Sequence, residues 1–378
     1  MVYVVRLDKK TDGKESRLTE ILKKSLAGRE FVRIKSVSDF LFKALANQLD
    51  EILFAVSMPA NGYSPEWYDL IGGLMESPEI LKGSKAAVLV DGEGSLFTKS
   101  IARKLIFAAN HAGCSFPGRP LVEATGDLYN FNTVASIKGV DNLTAYKECL
   151  TDLLDRLAEF RLPEFSTRGK TTAQTNAQTE AQGARKKVLA IHAGMRETSN
   201  TLMLLDMVKE GLQIDKDDAL DYQEISIRNG DIVDCRGCGF DTCKHFGESG
   251  ECFYGGLMVE QVYPAILACD ALVLVCPNYN DSVGANMMAM FNRLTALFYN
   301  NSFSEKKLFA LIVSGYSGGE LLAEQIIGAM NCNKGFQLPP HFAMLETAND
   351  PGSIEASEGI VERARIFANE IREALVSC

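Results

Sequence analysis

Short apolar runs and stretches of helical spacing alternate along the C-terminal half of the chain. Apolar runs at 188–193, 222–227, 271–276, 308–313 and 342–345 read as strands. Apolar positions three and four apart predict helices over 202–212, 284–299, 321–330 and 354–376. The runs at 271–276 and 308–313 contain no polar position, the pattern of strands covered on both faces. Such alternation predicts an α/β fold with a doubly wound parallel sheet between two helix layers, a three-layer αβα sandwich. Ligands of such sheets sit in loops beyond the carboxyl ends of the strands.

Between 163 and 186 the pattern stops. Thr171 to Glu180 is polar and repetitive, cannot bury a core, and reads as a flexible linker. The expected organisation is therefore a unit over 1–162, a linker over 163–186 and a second unit over 187–378. The two units share blocks. Ile52 to Val56 followed by Pro59, Asn61 and Tyr63 resembles Leu272 to Val275 followed by Pro277, Asn278 and Tyr279. Lys85 to Gly92 resembles Lys307 to Gly315, and the His111–Thr125 stretch resembles Asn333–Thr347. The offset stays at about 220 residues, as an internal duplication requires.

Composition narrows the partners. The formal charge of -10 argues against nucleic acid or an anionic membrane surface, which call for a basic face. No apolar run approaches the roughly 20 residues of a membrane span. The start, Met1 to Asp8, enters a strand and lacks the pattern of a secretory signal, so a cytoplasmic protein is expected. In that compartment the ten cysteines are thiols, metal ligands or redox centres rather than a disulfide framework. Cys114, Cys149, Cys269, Cys276, Cys332 and Cys378 are scattered, like buried small apolar residues. Cys235, Cys238, Cys243 and Cys252 cluster in a glycine-containing insertion over 228–262 with the spacing C-x2-C-x4-C-x8-C. Three readings stay open for them: an iron–sulfur cluster, a closed zinc site or metal-free thiols.

Three loops follow strands of the C-terminal unit. The first contains Gly194, Met195, Arg196, Ser199, Asn200 and Thr201 and opens a helix, whose N-terminal N–H groups suit a phosphate. The second contains Pro277, Asn278, Tyr279, Asn280, Ser282 and Gly284, the third Ser314, Gly315, Tyr316 and Gly318. Each alone is ordinary turn and capping chemistry. Together, beyond the carboxyl ends of one sheet, they read as a ligand site for a flat heteroaromatic ring bearing a phosphate.

These loops, with Phe291-Asn292-Arg293 on the following helix, resemble the NAD(P)H-dependent FMN reductase and iron–sulfur flavoprotein group of the flavodoxin-like superfamily. Gly194 stands where that group has a serine, and Asn292 where it has an aspartate. The resemblance implies two flavodoxin-like domains, with FMN held by the three loops and NAD(P)H as co-substrate. It implies electron transfer to a small molecule (quinone, flavin, nitro or azo compound) or a protein, with Tyr279, Asn280 and Ser282 near the reactive ring edge. The same resemblance implies a [4Fe–4S] cluster on the four cysteines, with zinc or no metal as alternatives, and a homo-oligomer. A non-enzymatic electron carrier is the alternative function. The N-terminal copy is degenerate. Its first loop, Lys9 to Arg17, has no Ser-Asn-Thr cradle, and its third, Asp91 to Gly94, carries two carboxylates. It is not expected to bind FMN strongly.

Overall fold

The computed structural model describes residues 1–7, 16–162, 185–213, 220–228 and 232–376. The linker reading at 163–186 lies almost wholly outside them. Two five-stranded sheets form. The first comprises β1 (Val2–Val5), β2 (Phe31–Ile34), β3 (Glu51–Met58), β4 (Lys85–Gly92) and β5 (Leu121–Ala124), in the order β2-β1-β3-β4-β5. The second comprises β6 (Lys186–His192), β7 (Leu220–Ser226), β8 (Ala271–Pro277), β9 (Lys307–Ser314) and β10 (Ala343–Thr347), in the order β10-β9-β8-β6-β7. Counted from its own first strand, each sheet runs 2-1-3-4-5, the flavodoxin-like order, with parallel pairing. In this order the chain reverses its winding between the first and third strands, opening a crevice between β6 and β8 in the second sheet and between β1 and β3 in the first.

The chain divides into two compact units. One takes Met1–Leu162 with Ser302–Leu308 and Glu320–Phe342; the other takes Pro163–Asn301, Phe309–Gly319 and Ala343–Cys378. In the first, Val2, Val4, Leu53, Ala55, Ala87 and Leu89 of the sheet bury against Leu18, Ile21 and Leu22 of one helix and Leu150, Leu153 and Leu157 of another. In the second, Val188, Ala190, Val273 and Leu311 bury against Leu204, Leu205 and Val208 and against Phe367, Ala368 and Ile371. Residues two apart on each strand supply these faces, as the pleat dictates. Side-chain caps fix helix starts at Ser16, Ser36, Asp141 and Ser199, each hydroxyl or carboxylate accepting from a first-turn N–H.

Within the first unit the duplicated blocks meet symmetrically. Phe116 and Leu338 exchange backbone hydrogen bonds, N to O, at 2.9 and 3.0 Å. Asn110 donates to the carbonyls of Cys114 (2.9 Å) and Pro339 (2.7 Å), while its counterpart Asn331 donates to Phe336 (2.7 Å) and Pro117 (3.0 Å). Arg119 N–H donates to the Asn331 carbonyl and His341 N–H to that of Asn110. Both asparagines are fully buried. Each partner sits at the offset of the duplication, so the contact is isologous: whatever one segment does to the other is done back.

Three helices differ from the sequence expectation. The helix expected over 284–299 runs Ala285–Arg293, and a short 3-10 turn, Leu297–Tyr299, follows. The Arg293 carbonyl, near its end, is taken by the Tyr263 hydroxyl at 2.6 Å. The helix expected over 354–376 begins at Ile360, because Gly359 (φ +68°) interrupts it after a 3-10 turn at Ser353–Ala356. The helix expected over 321–330 starts at Gly319 and widens into a π-helical stretch at Ile327–Lys334, which holds Asn331 at the isologous contact. No helix among the described residues is long and apolar enough to cross a membrane.

Candidate functional site

The three expected loops all lie beyond the carboxyl ends of β6, β8 and β9. The first tightens through Ser199 N–H donating to the Met195 carbonyl (3.0 Å), and the helix Asn200–Leu212 then starts on the Ser199 cap, whose hydroxyl accepts from Leu202 N–H at 3.3 Å. The Leu202 and Met203 N–H groups are taken by Ser199, while those of Asn200 and Thr201 have no intrahelical acceptor and carry the positive end of the helix dipole. Gly194 sits against that cap. A Cβ there would lie 3.0 Å from Ser199 Oγ and 3.1 Å from Leu202, so the loop is packed around the absence of a side chain.

Asn200 and Thr201 are buried. Asn200 donates to the carbonyls of Ala348 (3.2 Å) and Asp350 (2.8 Å), tying the helix start to the loop after β10. Arg196 is engaged elsewhere. One guanidinium nitrogen donates to both Asp206 carboxylate oxygens at 3.0 Å, and the other to Glu224 at 2.7 Å. Glu224, on β7, also accepts from the Tyr222 hydroxyl (3.0 Å) and Lys209 (3.3 Å), and lies 3.2 Å from His192 Nε2. His192 closes β6 directly beneath the loop; its burial lowers its pKa, against the pull of Glu224. Glu224 and His192 were not singled out from sequence. Nothing local marks them, and their partners come from another strand and a helix.

The second and third loops are laced together. Asn278 Nδ2 donates to Ser314 Oγ (3.1 Å) and the Ser317 carbonyl (3.0 Å), and Asn278 N–H to the Val313 carbonyl (2.9 Å). Because the Ser317 carbonyl can only accept, the amide orientation is fixed. Asn278 Oδ1 is then buried with no hydrogen-bond partner. Tyr279 and Ser282 exchange backbone hydrogen bonds at 3.2 Å across Asn280 (φ +53°) and Asp281 (φ +56°), a tight turn of left-handed residues. Gly318 (φ +84°) lies under it; a Cβ there would fall within 3.2 Å of Asn278 Nδ2 and would run into Asp281. Gly284 caps the helix Ala285–Arg293, while the Tyr279 and Tyr316 rings stand 56% and 80% exposed.

The cysteine segment lies between the second and third strands of this sheet. Among the described residues no three side chains of His, Cys, Asp or Glu converge on a metal site. Cys235 is exposed, Cys243 lies on the helix Phe240–Glu248, and Cys238 Sγ is 4.0 Å from the Tyr254 hydroxyl. Edge-to-face contacts link Phe246, Phe253 and Tyr254, with Arg236 over the Tyr254 ring. Cys235, Cys238, Cys243 and Cys252 thus stand in an aromatic segment and form no converged ligand set for a [4Fe–4S] cluster or a zinc among the described residues. Of the scattered cysteines, Cys114, Cys269 and Cys276 are buried, and burial pushes the Cys276 thiol up to about 12.

Arg293 anchors both feet of this segment. It is 2% exposed and donates to the carbonyls of Gly255 (2.7 Å) and Val233 (3.4 Å). Arg293→Met is expected to cost about 3 kcal/mol, since charge-assisted bonds vanish and buried carbonyls lose their donors. Limited proteolysis should then cut faster inside 233–255; unchanged cleavage would remove Arg293 from this role.

The corresponding end of the first sheet is filled by the chain itself. Arg17, the first residue of its helix, meets Asp91 with two parallel bonds (3.0 and 2.8 Å) and donates to the carbonyls of Gly126, Thr125 and Gly92. The Tyr146 hydroxyl donates to Asp91 at 3.0 Å. Most of the first loop of this copy lies outside the described residues.

Residues 186–350 match the family model described as NADPH-dependent FMN reductase. No curated protein matches the chain. Similar solved structures include an NAD(P)H:quinone oxidoreductase from Methanothermobacter marburgensis, 17% identical over 50% of this chain and 96% of that one, with a TM-score of 0.39. An FMN-dependent NADH-azoreductase from Bacillus anthracis, in complex with FMN, is 9% identical over 51% and 100%, with a TM-score of 0.35. An oxidoreductase from Corynebacterium diphtheriae is 16% identical over 51% and 98%, with a TM-score of 0.36. The strand order, rather than these distant likenesses, defines the fold. Residues 186–350 thus form a flavodoxin-like domain that matches the family model of NADPH-dependent FMN reductase.

Proposed function

We propose that the second unit binds FMN across the three loops and passes electrons from NAD(P)H to a small-molecule acceptor (quinone, flavin, nitro or azo compound) or a protein. The observation that carries this reading is the convergence of the β6, β8 and β9 loops at the crevice of a 2-1-3-4-5 sheet. The residues fit the ligand. The Ser199 cap and first-turn N–H groups suit a phosphate, and the orphaned Asn278 Oδ1 offers an acceptor. FMN, when bound, supplies the two-electron chemistry.

The chain supplies position. Gly194, Met195, Ser199, Asn200 and Thr201 form the phosphate end. Pro277, Asn278, Tyr279, Asn280, Ser282 and Gly284, together with Ser314, Gly315, Tyr316 and Gly318, would hold the ring. Tyr279, Asn280 and Ser282 are the candidates for its reactive edge. Hydride transfer needs alignment first, so no acid–base side chain is assigned. Because the two tyrosines stand largely in solvent, a second protomer is expected to cover the ligand, which light scattering tests.

Protein titrated with FMN is expected to take on flavin absorption bands and then to oxidise NADPH when a quinone is added. A protein that binds no FMN at any concentration would overturn the reading.

A further inference from the structure

The first loop holds an arginine in a place where a phosphate-binding cation would be useful, yet its fork is occupied. Arg196 bonds Asp206 twice at 3.0 Å and Glu224 at 2.7 Å. Lys209, the neighbouring cation, also meets Glu224, at 3.3 Å, and Asp206, at 3.9 Å. Two cations therefore face two carboxylates, and their charges cancel. What remains of the loop's own groups for a phosphate is the Ser199 hydroxyl and the backbone N–H groups of the helix start, all neutral donors, with the Arg228 guanidinium beside the loop at Met195 Sδ (3.2 Å).

We propose that Asp206 and Glu224 are affinity-setting residues which hold Arg196 away from the FMN phosphate, so that FMN binds as an exchangeable ligand rather than a permanently held group. This rests on the FMN reading above. The carboxylates occupy the arginine, so a phosphate has to compete with both of them. Arg196 lies in the same tight turn as the cap, since Ser199 N–H closes on the Met195 carbonyl. Once released, it needs no rearrangement of the sheet to reach the helix start. Glu224 is well placed for the task because its pairing with Tyr222 and Lys209 fixes its carboxylate independently of the loop.

The test compares FMN with riboflavin, which lacks the phosphate, by quenching of flavin fluorescence. The wild-type protein is expected to prefer FMN by no more than about tenfold, the scale of a few neutral hydrogen bonds. Asp206→Asn combined with Glu224→Gln should tighten FMN by about tenfold or more, as a charge-assisted contact forms. Riboflavin affinity should stay where it was. Adding Arg196→Met to that double variant should erase the gain, while Arg196→Met alone should change neither affinity. A wild-type preference for FMN of about 100-fold that Arg196→Met abolishes would overturn the proposal, because the arginine would then already serve the phosphate. So would a double variant that leaves FMN unchanged or that weakens both flavins, which marks the cluster as structural. Failure of the wild-type protein to bind either flavin would instead overturn the FMN reading itself.

Discussion

Asp91→Ala is expected to lower the stability of the first unit by about 3–5 kcal/mol, the scale for stripping one partner from a buried ion pair. Asp91 is 10% exposed and Arg17 24%, and the carboxylate is also the acceptor of the Tyr146 hydroxyl. Burial, and then the neighbouring carboxylate, hold that phenol well above its ordinary range, so it stays a donor that needs Asp91. Truncation leaves a cation and a hydroxyl facing each other without the anion both were arranged around. Trp67, the only tryptophan and fully buried in the same unit, reports the unfolding directly by its fluorescence. The denaturation midpoint should fall. Replacing both partners, Arg17→Met with Asp91→Leu, should recover much of the loss, because an apolar pair leaves no charge uncompensated. An unchanged midpoint in Asp91→Ala would mean that the pair is not holding the crevice closed.

Gly118→Ala is expected to cost about 3 kcal/mol or more, at the upper end of overpacking effects. An added Cβ would lie 1.9 Å from the Gly335 carbonyl oxygen and 2.7 Å from its carbon, and the atoms it meets are backbone. Side chains can turn aside; this carbonyl belongs to a turn fixed by Asn331 and Phe336 and cannot. Thermal unfolding of the purified variant should show a lower midpoint than wild type. A wild-type midpoint would mean that the symmetric contact yields more readily than its hydrogen bonds indicate.

Much of this was legible in the chain. Continuous apolar runs at 271–276 and 308–313 had to become central strands, because only helices on both faces can cover them. The loops followed from where those strands end. What was not legible depended on partners far away in sequence. The acidic partners of Arg196 are of this kind: Asp206 lies a turn and a half into the next helix, and Glu224 lies on an edge strand. The spacing of Cys235, Cys238, Cys243 and Cys252 is a one-dimensional pattern. It could not reveal the edge-to-face contacts of Phe246, Phe253 and Tyr254 within the segment. Arg17 read only as the last residue of a loop without a phosphate cradle, although it is what meets one of the two carboxylates noted at the third loop of the first copy.

The symmetric meeting of Asn110 with Asn331 has an evolutionary corollary. In an assembly of two identical chains, a substitution beside the axis is felt twice, and such positions can scarcely drift. When both halves belong to one polypeptide, each position mutates alone. Gly118 and Gly335 already illustrate the difference. A side chain at 118 strikes backbone, whereas one at 335, apart from its left-handed φ of +91°, would meet only the flexible Arg119 side chain at 3.5 Å. Held in one polypeptide, the two segments are free to differ, as the unequal room at positions 118 and 335 shows.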